Sequence, residues 1–180
     1  MTEGGTGPAV PLGLRIGQGL DVHRFSDDRG RPLVLGGVVV TGEGVCGLEG
    51  HSDGDAVAHA VCDAVLGAAG LGDLGHHAPD TDPVFEGADS VGLLARVVAL
   101  AREAGWSPVN VDCTVVAERP RLAPYVATMA ERLGAVLGAP VNVKATRAEG
   151  LGALGRAEGI ACVAVVLLMA VGGGPGEPER

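Results

Sequence analysis

Twelve consecutive apolar side chains, residues 160–171 (IACVAVVLLMAV), dominate the C-terminal part of the 180-residue chain. A helix that spans a bilayer needs about 20 such residues, so this run is too short to cross a membrane. Its β-branched residues favour an extended conformation. We therefore predict a strand over residues 160–169 that is apolar enough to be buried on both faces, in a domain that must cover both of them.

Hydrophobic periodicity predicts the remaining elements. Strands are expected over residues 14–25, 33–41, 109–117 and 141–146, the second interrupted by Gly36 and Gly37. Helices are expected over residues 52–69, 90–104 and 124–137. Because strands and helices mix without a regular βαβ rhythm, we predict an α+β fold, with one mainly four-stranded sheet packed against helices. Residues 14–171 form this single domain, between glycine- and proline-rich tails at 1–13 and 172–180 that we expect to be flexible.

The first predicted helix carries recognisable signals at both ends. Ser52 is expected at its N-cap, with Asp55 at the third helical position as in a capping box, and Gly70 follows its end. Residues 73–87, which include two prolines, are predicted to form a polar loop.

Composition excludes several classes of protein. A formal net charge of −9 argues against a broad nucleic-acid interface and against an anionic membrane surface. The four cysteines form no C-x-x-C pair and are interpreted as reduced thiols. With Glu3 and no basic residue before Arg15, neither a signal peptide nor a transit peptide fits the N-terminus. A cytoplasmic protein is expected, without nucleic-acid or membrane partners.

Charge is unevenly distributed along the chain. Residues 32–95 contain no Lys or Arg but hold four of the five histidines, whereas residues 119–156 carry six cations, including Lys144, the only lysine. This contrast suggests a metal on one side and an anion on the other. Ordinary surface variation explains the same counts equally well.

Asp21 and His23 form a D-x-H pair in a predicted strand, where period-two geometry places both side chains on one face. His59 lies on the first predicted helix, with Asp55 and Asp63 one turn away on either side. Two imidazoles and one carboxylate with an open fourth position are typical of a catalytic zinc site. One of the flanking acids would orient the His59 ring. The alternative is that each histidine is an ordinary surface or capping residue.

Two other segments carry weaker signals. The acidic stretch 73–82 supplies carboxylates and a hydroxyl that suit a polyol or a second hard cation, although its composition also fits a plain turn. Gly150, Gly152 and Gly155 match G-x-G-x-x-G, but an apolar β-like run follows them instead of a helix. We therefore reject a dinucleotide site there, while a turn that offers backbone amides to a phosphate remains open.

Taken together, seven segments resemble one enzyme family, the 2-C-methyl-D-erythritol 2,4-cyclodiphosphate synthases. The resemblance runs in the family's order from about residue 15 to residue 169. The matching segments are GLDVHRF at 19–25, GHSDGD at 50–55 with His59, GAAGLGD at 67–73, PDTDP at 79–83, GADS at 87–90, NVKAT at 142–146 and GRAEGIA at 155–161.

The resemblance implies a homotrimer with active sites between adjacent subunits. It implies Zn²⁺ on Asp21, His23 and His59, and a second divalent cation, Mg²⁺ or Mn²⁺, near Glu149. The implied substrate is 4-diphosphocytidyl-2-C-methyl-D-erythritol 2-phosphate, which cyclises with release of CMP. This is an intramolecular phosphoryl transfer, in which positioning and charge neutralisation supply most of the acceleration.

The resemblance also assigns residues to parts of the site. His51, Thr146 and Arg147 are the implied catalytic residues. His51 and Ser52 would meet substrate beside a helix N-terminus, a natural anion site. The methylerythritol part would be held by the loop residues Asp73, Gly75, Ala78, Pro79, Asp80, Thr81 and Asp82. The cytidyl part would be held by Ala117, Pro120, Arg121, Leu122, Lys144, Ala145 and Thr146. Ala153 and Arg156 would lie near the substrate or the trimer axis.

Four positions depart from the family pattern. Arg147 stands where the family usually has a second threonine, so it either supplies stronger charge stabilisation, blocks the site or points elsewhere. Ala78 and Ala153 replace aromatic residues, and Arg121 replaces a lysine. Two alternatives follow: a non-catalytic trimeric relative that binds metal or phosphate, and another metal-dependent phosphotransferase or hydrolase.

Overall fold

A computed structural model describes residues 13–79, 81–85 and 87–171 of the chain. The strands are β1 (Leu14–Arg24), β2 (Leu33–Leu35), β3 (Val38–Val40), β4 (Trp106–Val116), β5 (Val141–Thr146) and β6 (Gly159–Ala170). The helices are α1 (Ala56–Ala69), α2 (Leu74–His77), α3 (Ser90–Glu103), α4 (Val126–Leu137) and α5 (Gly152–Gly155), with a 3₁₀ turn at Pro83–Phe85.

One four-stranded sheet organises the fold, in the order β1-β6-β4-β5. Strand β6 runs antiparallel to both of its neighbours, and β4 pairs in parallel with β5. The predicted α+β class with one mainly four-stranded sheet is therefore confirmed. No helix in the described ranges is long and apolar enough to cross a membrane.

The helices cover only one face of this sheet. Ile160, Cys162, Ala164, Val166 and Leu168 of β6 point to the helices and are buried. On the opposite face, Val165 and Met169 are 42% and 48% exposed. The prediction that β6 is buried on both faces is wrong for the single chain, because no described element of the same chain packs on that second face.

Helix α1 lies unusually close to β1. A Cβ atom added at Gly17 would come within 1.9 Å of the Ala64 carbonyl oxygen, and one added at Gly19 within 1.9 Å of the Ala60 carbonyl oxygen. The two glycines therefore permit a backbone-to-backbone approach that any side chain would block. This approach brings the middle of α1 against the end of β1 where Asp21 and His23 lie.

Helix α1 begins at Ala56, so the prediction that Ser52 is its N-cap is wrong. The N-cap is Asp55, whose Oδ1 accepts hydrogen bonds from the backbone N–H groups of Val57 and Ala58, both at 3.0 Å. Gly54 has φ +74°, a left-handed conformation that prevents the helix from extending back to Ser52. Asp55 is fully buried, and its carboxylate also accepts the N–H groups of Gly36 and Gly37 at 2.8 and 2.6 Å.

Two other regions differ from the predicted elements. Gly36 and Gly37, with φ +55° and +71°, form the turn of a β2–β3 hairpin, so residues 33–41 are two short strands and not one interrupted strand. The predicted polar loop at 73–87 contains the one-turn helix α2, whose N-cap Asp73 accepts the N–H of His76 at 2.9 Å.

Candidate functional site

Asp21, His23 and His59 converge as the spacing argument predicted. Asp21 and His23 lie on the helix-facing side of β1, because alternate residues of a strand share a face. The Asp21 Oδ2 atom lies 2.9 Å from His23 Nε2 and 3.2 Å from His59 Nδ1. The two histidine nitrogens are 3.4 Å apart. These three atoms can hold one metal ion.

The geometry of this triangle fits a tetrahedral zinc site. With bonds of 2.0–2.1 Å, the donor atoms of a tetrahedral zinc ion lie about 3.3 Å apart. The observed separations of 2.9, 3.2 and 3.4 Å lie close to that value. Three protein donors also leave a fourth position for a substrate oxygen, as catalytic zinc sites require.

Each histidine is held through its second ring nitrogen. His23 Nδ1 lies 2.5 Å from the carbonyl oxygen of Glu49. His59 Nε2 lies 2.8 Å from Ser90 Oγ and 3.1 Å from Ser52 Oγ. Such contacts leave the other nitrogen of each ring to face the metal.

The prediction that Asp55 or Asp63 orients the His59 ring is therefore wrong. Asp55 uses its carboxylate on four backbone N–H groups, as described above. The Oδ1 atom of Asp63 accepts the N–H of Leu74 at 2.7 Å and so attaches α2 to α1. Residues at i±4 share a helix face, but the carboxylates of Asp55 and Asp63 bond to backbone N–H groups and not to the His59 ring.

Charge within the triad is strongly coupled. Burial acts to raise the pKa of Asp21, but hydrogen bonds and charge interactions with His23 and His59 outweigh it and lower that pKa to about 2. The hydrogen bond to Asp21 raises the pKa of His23 above its usual value, although burial opposes the change. The triad thus keeps a carboxylate beside two imidazoles, a donor set that suits a divalent cation.

A cavity of about 460 Å³ opens in front of the triad. Four other predicted site residues line it, namely His51, Ser52, Gly75 and Ala78. The backbone of residues 50–52 is held by Arg31, whose Nη2 donates to the carbonyl oxygens of Gly50 at 3.0 Å and Ser52 at 2.5 Å. Phe85 and Leu93, which had no predicted role, supply apolar lining.

One expectation about this cavity is corrected by the cap of α1. We expected His51 and Ser52 to present an anion to a free helix N-terminus. The Asp55 side chain instead accepts the N–H groups of Val57 and Ala58, so these amides already have hydrogen-bond partners. Anion recognition in this cavity therefore depends on side chains and metal and not on these two amides of α1.

The acidic loop is only partly within the cavity. Asp73 caps α2, and Pro79, Thr81 and Asp82 lie beyond it without lining the cavity in the described residues. The Asp82 carboxylate accepts the N–H of Val84 at 3.0 Å. Predicted site residue Asp80 lies outside the described residues.

The segments predicted to hold the cytidyl group are neighbours in the fold. The N–H of Ala117, just after β4, donates to the carbonyl oxygen of Thr146 at 3.0 Å. Lys144 forms an ion pair with Asp112, whose carboxylate also accepts a hydrogen bond from Asn142 at 2.8 Å. Pro120 and Arg121 lie in the loop after Ala117, where Leu122 is buried. Ala145 and Arg147 are exposed, and within the described residues Arg147 forms no ion pair.

The predicted second-cation residue Glu149 follows these segments in an unusual backbone conformation. Its φ is +51°, in the left-handed region that non-glycine residues rarely adopt, and Gly150 follows at +76°. Helix α5 then carries Ala153, and Arg156 Nε lies 2.6 Å from Glu158 Oε1. Strained residues of this kind persist where the surrounding structure or a function requires them.

The triad lies far from the predicted cytidyl residues of β5, and two of these, Lys144 and Thr146, lie on the opposite face of the sheet. Asp21 pairs with Cys162, Cys162 with Val115, and Val115 with Ala145, so Asp21 and Ala145 are three strand spacings apart, about 14 Å. Asp21 points to the helices, whereas Lys144 and Thr146 point to the uncovered face. In one chain, therefore, these groups do not form a common pocket.

A second and larger cavity, of about 830 Å³, lies next to the end of β1. Its lining includes Pro120 from the predicted cytidyl segment, together with the basic residues Arg24, Arg29 and Arg119. We base the site on the smaller cavity, because the metal donors line it and volume alone indicates no chemistry.

Comparisons with known proteins agree with this geometry. Residues 14–169 match the model of the YgbB family. The 2-C-methyl-D-erythritol 2,4-cyclodiphosphate synthase of Symbiobacterium thermophilum is 58% identical over 158 residues, which cover 86% of this chain and 98% of that protein. The synthase of Laribacter hongkongensis is also 58% identical, over 87% of this chain and 96% of its own length.

Solved structures give the same result. IspF of Plasmodium falciparum in complex with CDP has a TM-score of 0.75 and 30% identity, covering 89% of this chain and 98% of its own. The bifunctional IspDF of Campylobacter jejuni has a TM-score of 0.83 and 41% identity, and this chain covers 43% of its length. The family match, the identities and the metal-binding triad together show that the chain belongs to the YgbB family, that of the 2-C-methyl-D-erythritol 2,4-cyclodiphosphate synthases.

Proposed function

We propose that the chain converts 4-diphosphocytidyl-2-C-methyl-D-erythritol 2-phosphate into 2-C-methyl-D-erythritol 2,4-cyclodiphosphate and CMP. The observation that carries this proposal is the Asp21–His23–His59 triangle at the cavity of a chain 58% identical to a synthase of that name. An oxygen of the 2-phosphate attacks the β-phosphorus of the diphosphate. The new P–O bond forms as the bond between the β-phosphorus and the bridging oxygen breaks, and CMP leaves with that oxygen.

The triad would hold Zn²⁺ through Asp21 Oδ2, His23 Nε2 and His59 Nδ1. An ion held by these three residues would supply charge neutralisation at the β-phosphate and polarise its phosphorus. Glu149 would hold the second cation, Mg²⁺ or Mn²⁺, near the diphosphate. Its left-handed backbone conformation supports a functional assignment, because such strain is seldom kept where a residue has no task.

His51 and Ser52 would position the phosphate that attacks. Ser52 Oγ already accepts the N–H of Gly54 at 3.2 Å and lies 3.1 Å from His59 Nε2. Its own hydroxyl hydrogen therefore remains available for a phosphate oxygen in the cavity. Across the cavity, Asp73, Gly75, Ala78 and the loop to Asp82 would hold the methylerythritol part.

The site would lie between subunits of a homotrimer. Support comes from the uncovered sheet face, where Ile16 and Leu20 of β1 are 75% and 60% exposed beside Val165 and Met169 of β6. An apolar patch of this kind is typical of a protein–protein interface. Packing of this face against another subunit is consistent with cytidyl-binding residues of one chain reaching the metal triad of the next. The cytidyl residues would include Ala117, Pro120, Arg121, Leu122, Lys144, Ala145 and Thr146.

Arg147 would act on the phosphate under attack together with Thr146. It is exposed and forms no ion pair with another described residue, so its guanidinium is available for a phosphate. A guanidinium presents several N–H donors and a permanent charge, whereas the threonine usual in the family offers one hydroxyl.

Ala153 and Arg156 would lie near the substrate or the trimer axis. A cytoplasmic location stays a prediction.

The test is to incubate the purified protein with the cytidyl substrate, Zn²⁺ and Mg²⁺, and to follow the reaction by phosphorus NMR. A cyclic diphosphate formed with equimolar CMP is the expected result. The presence of Arg147 motivates the alternative of a non-catalytic relative, which would bind zinc without turnover. CMP release without a cyclic product would indicate another metal-dependent phosphotransferase or hydrolase.

A further inference from the structure

Ser90 contacts a proposed metal ligand although it lies 31 residues away from it in the chain. It is the first residue of α3 and is fully buried. Its Oγ lies 2.8 Å from His59 Nε2, the ring nitrogen that faces away from Asp21 and His23. A hydroxyl buried here either donates a hydrogen bond to Nε2 or accepts one from it. Which of the two it does decides which ring nitrogen carries the hydrogen.

The direction of that bond is fixed by Asp53. The hydroxyl of Ser90 donates to Asp53 Oδ1, and an ionised carboxylate only accepts hydrogen bonds. Because the single hydrogen of Ser90 is used there, its oxygen must accept the hydrogen of His59 Nε2. The neutral ring then carries its lone pair on Nδ1, the atom that faces the metal position.

Asp53 is itself held firmly in place. Its Oδ2 accepts the N–H of Ser90 at 3.2 Å, its Oδ1 accepts the N–H of Asp55 at 3.2 Å, and its own N–H donates to the carbonyl oxygen of Ala88 at 3.1 Å. These bonds connect the start of α3 to the turn before α1. The carboxylate therefore keeps its orientation in the absence of a ligand.

We propose that Asp53 and Ser90 are positioning residues that fix the Nε2–H tautomer of His59 and so present Nδ1 to the metal. The inference rests on the proposed metal site and deepens it. His23 is oriented in the complementary sense, since its Nδ1 faces the Glu49 carbonyl oxygen and its Nε2 faces the metal position. The two imidazole ligands thus use different ring nitrogens, each selected by a fixed partner.

The test compares zinc affinities of purified variants by competition with a chromophoric chelator, without substrate. Ser90→Ala is expected to weaken zinc binding about 10- to 100-fold, the usual effect of removing the partner of a metal-bound histidine. The matched control is Asp89→Ala, which removes the N-cap of the same helix but no contact with His59. The control is expected to bind zinc like the wild type.

A second readout reports the hydrogen bond itself. In the zinc-loaded wild type and in Asp89→Ala, the His59 Nε2–H proton is expected as a resolved ¹H–¹⁵N NMR signal that exchanges slowly with water. In Ser90→Ala the same proton is expected to exchange faster, because its nearer acceptor is gone and only Ser52 Oγ, at 3.1 Å from Nε2, remains. A role limited to stabilising α3 would not produce this difference between the two variants.

Several outcomes would overturn the inference. These are equal zinc affinities for Ser90→Ala and the wild type, an equal loss in Asp89→Ala, a protected Nε2–H in Ser90→Ala, or a wild type that binds no zinc. If Ser90→Ala does not fold, Asp53→Ala removes the acceptor that fixes the direction of the Ser90 hydroxyl, and an unchanged zinc affinity in that variant overturns the inference. Absence of cyclic product from a wild type that binds zinc would contradict the proposed function alone.

Discussion

Asp21 and Lys144 point to opposite faces of the same sheet. Asp21 faces the helices from β1, and Lys144 faces the uncovered side from β5, where it pairs with Asp112. Two strands separate β1 from β5. Under the proposed function, a substrate in contact with both the triad and Lys144 would bridge two copies of the chain.

Removal of one metal donor tests the triad directly. His59→Ala is expected to abolish zinc binding and cyclisation while the fold is kept, because the ring is only partly buried and its loss leaves the aliphatic core intact. Zinc content is measured by atomic absorption and the fold by circular dichroism. The control is His76→Ala, which removes an exposed histidine of α2 that lies outside the triad. Full activity in a zinc-free His59→Ala protein would refute the metal assignment.

The Asp55 carboxylate is expected to be a large contributor to stability. Asp55→Ala removes the cap of α1 and leaves the buried N–H groups of Gly36 and Gly37 without a partner. We expect the free energy of unfolding to fall by about 3–5 kcal/mol, from the lost cap and the unpaired amides. Urea denaturation at one fixed subunit concentration measures this.

Asp89→Ala again provides the comparison for Asp55→Ala, because Asp89 is an exposed N-cap with a single bond to Val91. Its loss is expected to cost about 1 kcal/mol. Equal effects of the two substitutions would show that the bonds from Asp55 to the β2–β3 turn add nothing to stability.

Asp63 gives a pH-dependent prediction. Burial, chiefly, raises the pKa of Asp63 above its usual 3.8. A carboxyl group whose pKa is raised in the folded state favours folding most when it is protonated. Its contribution to the free energy of unfolding is therefore complete below pH 3.8 and is lost as the pH rises through the folded-state pKa. Asp63→Asn removes this loss and keeps an oxygen for the Leu74 N–H.

The measurement for Asp63 is the free energy of unfolding of the metal-free wild type and of Asp63→Asn, from pH 3 to pH 7. The variant is expected to gain stability relative to the wild type as the pH increases, and the difference is expected to level off near neutrality. A difference that stays constant over this range, or that favours the wild type increasingly, would contradict the shift.

Arg147 is expected to act in the chemical step. Arg147→Ala is expected to lower kcat about 100-fold, the usual cost of losing one donor to the charge that develops during the reaction. Arg147→Thr, the family's usual residue, is expected to retain much of the activity. Steady-state kinetics measures both. Unchanged kcat in Arg147→Ala would show that the guanidinium points away from the phosphate.

The sequence was sufficient to identify the metal donors but not their surroundings. Asp21 and His23 share a face by simple alternation, and that part of the prediction needs only a strand. Their approach to His59 depends on Gly17 and Gly19, which let α1 lie against β1. Nothing in the spacing of the three donors reveals that contact, and it was not predicted.

Two of the failed predictions, the N-cap of α1 and the partner of the His59 ring, depended on ranking competing hydrogen bonds. Ser52 and Asp55 are both good capping residues, and the left-handed Gly54 decides in favour of Asp55. The bonds from Ser90 to Asp53 and to the His59 ring were missed because they join a turn, α3 and α1 across 31 to 37 residues. Their only signal was their presence in the matching segments GHSDGD and GADS.

The most direct test of the account combines two inactive variants in one trimer. His23→Ala removes a proposed metal donor, and Lys144→Ala removes a proposed cytidyl-binding residue from the other face of the sheet. Co-expressed with different tags and purified as mixed trimers, they are assayed for the cyclic diphosphate by phosphorus NMR. With sites between subunits, each mixed trimer restores one of its three sites, about a third of the wild-type sites, because an active site then needs one intact half from each variant. Mixed trimers as inactive as the separate variants would contradict a shared site.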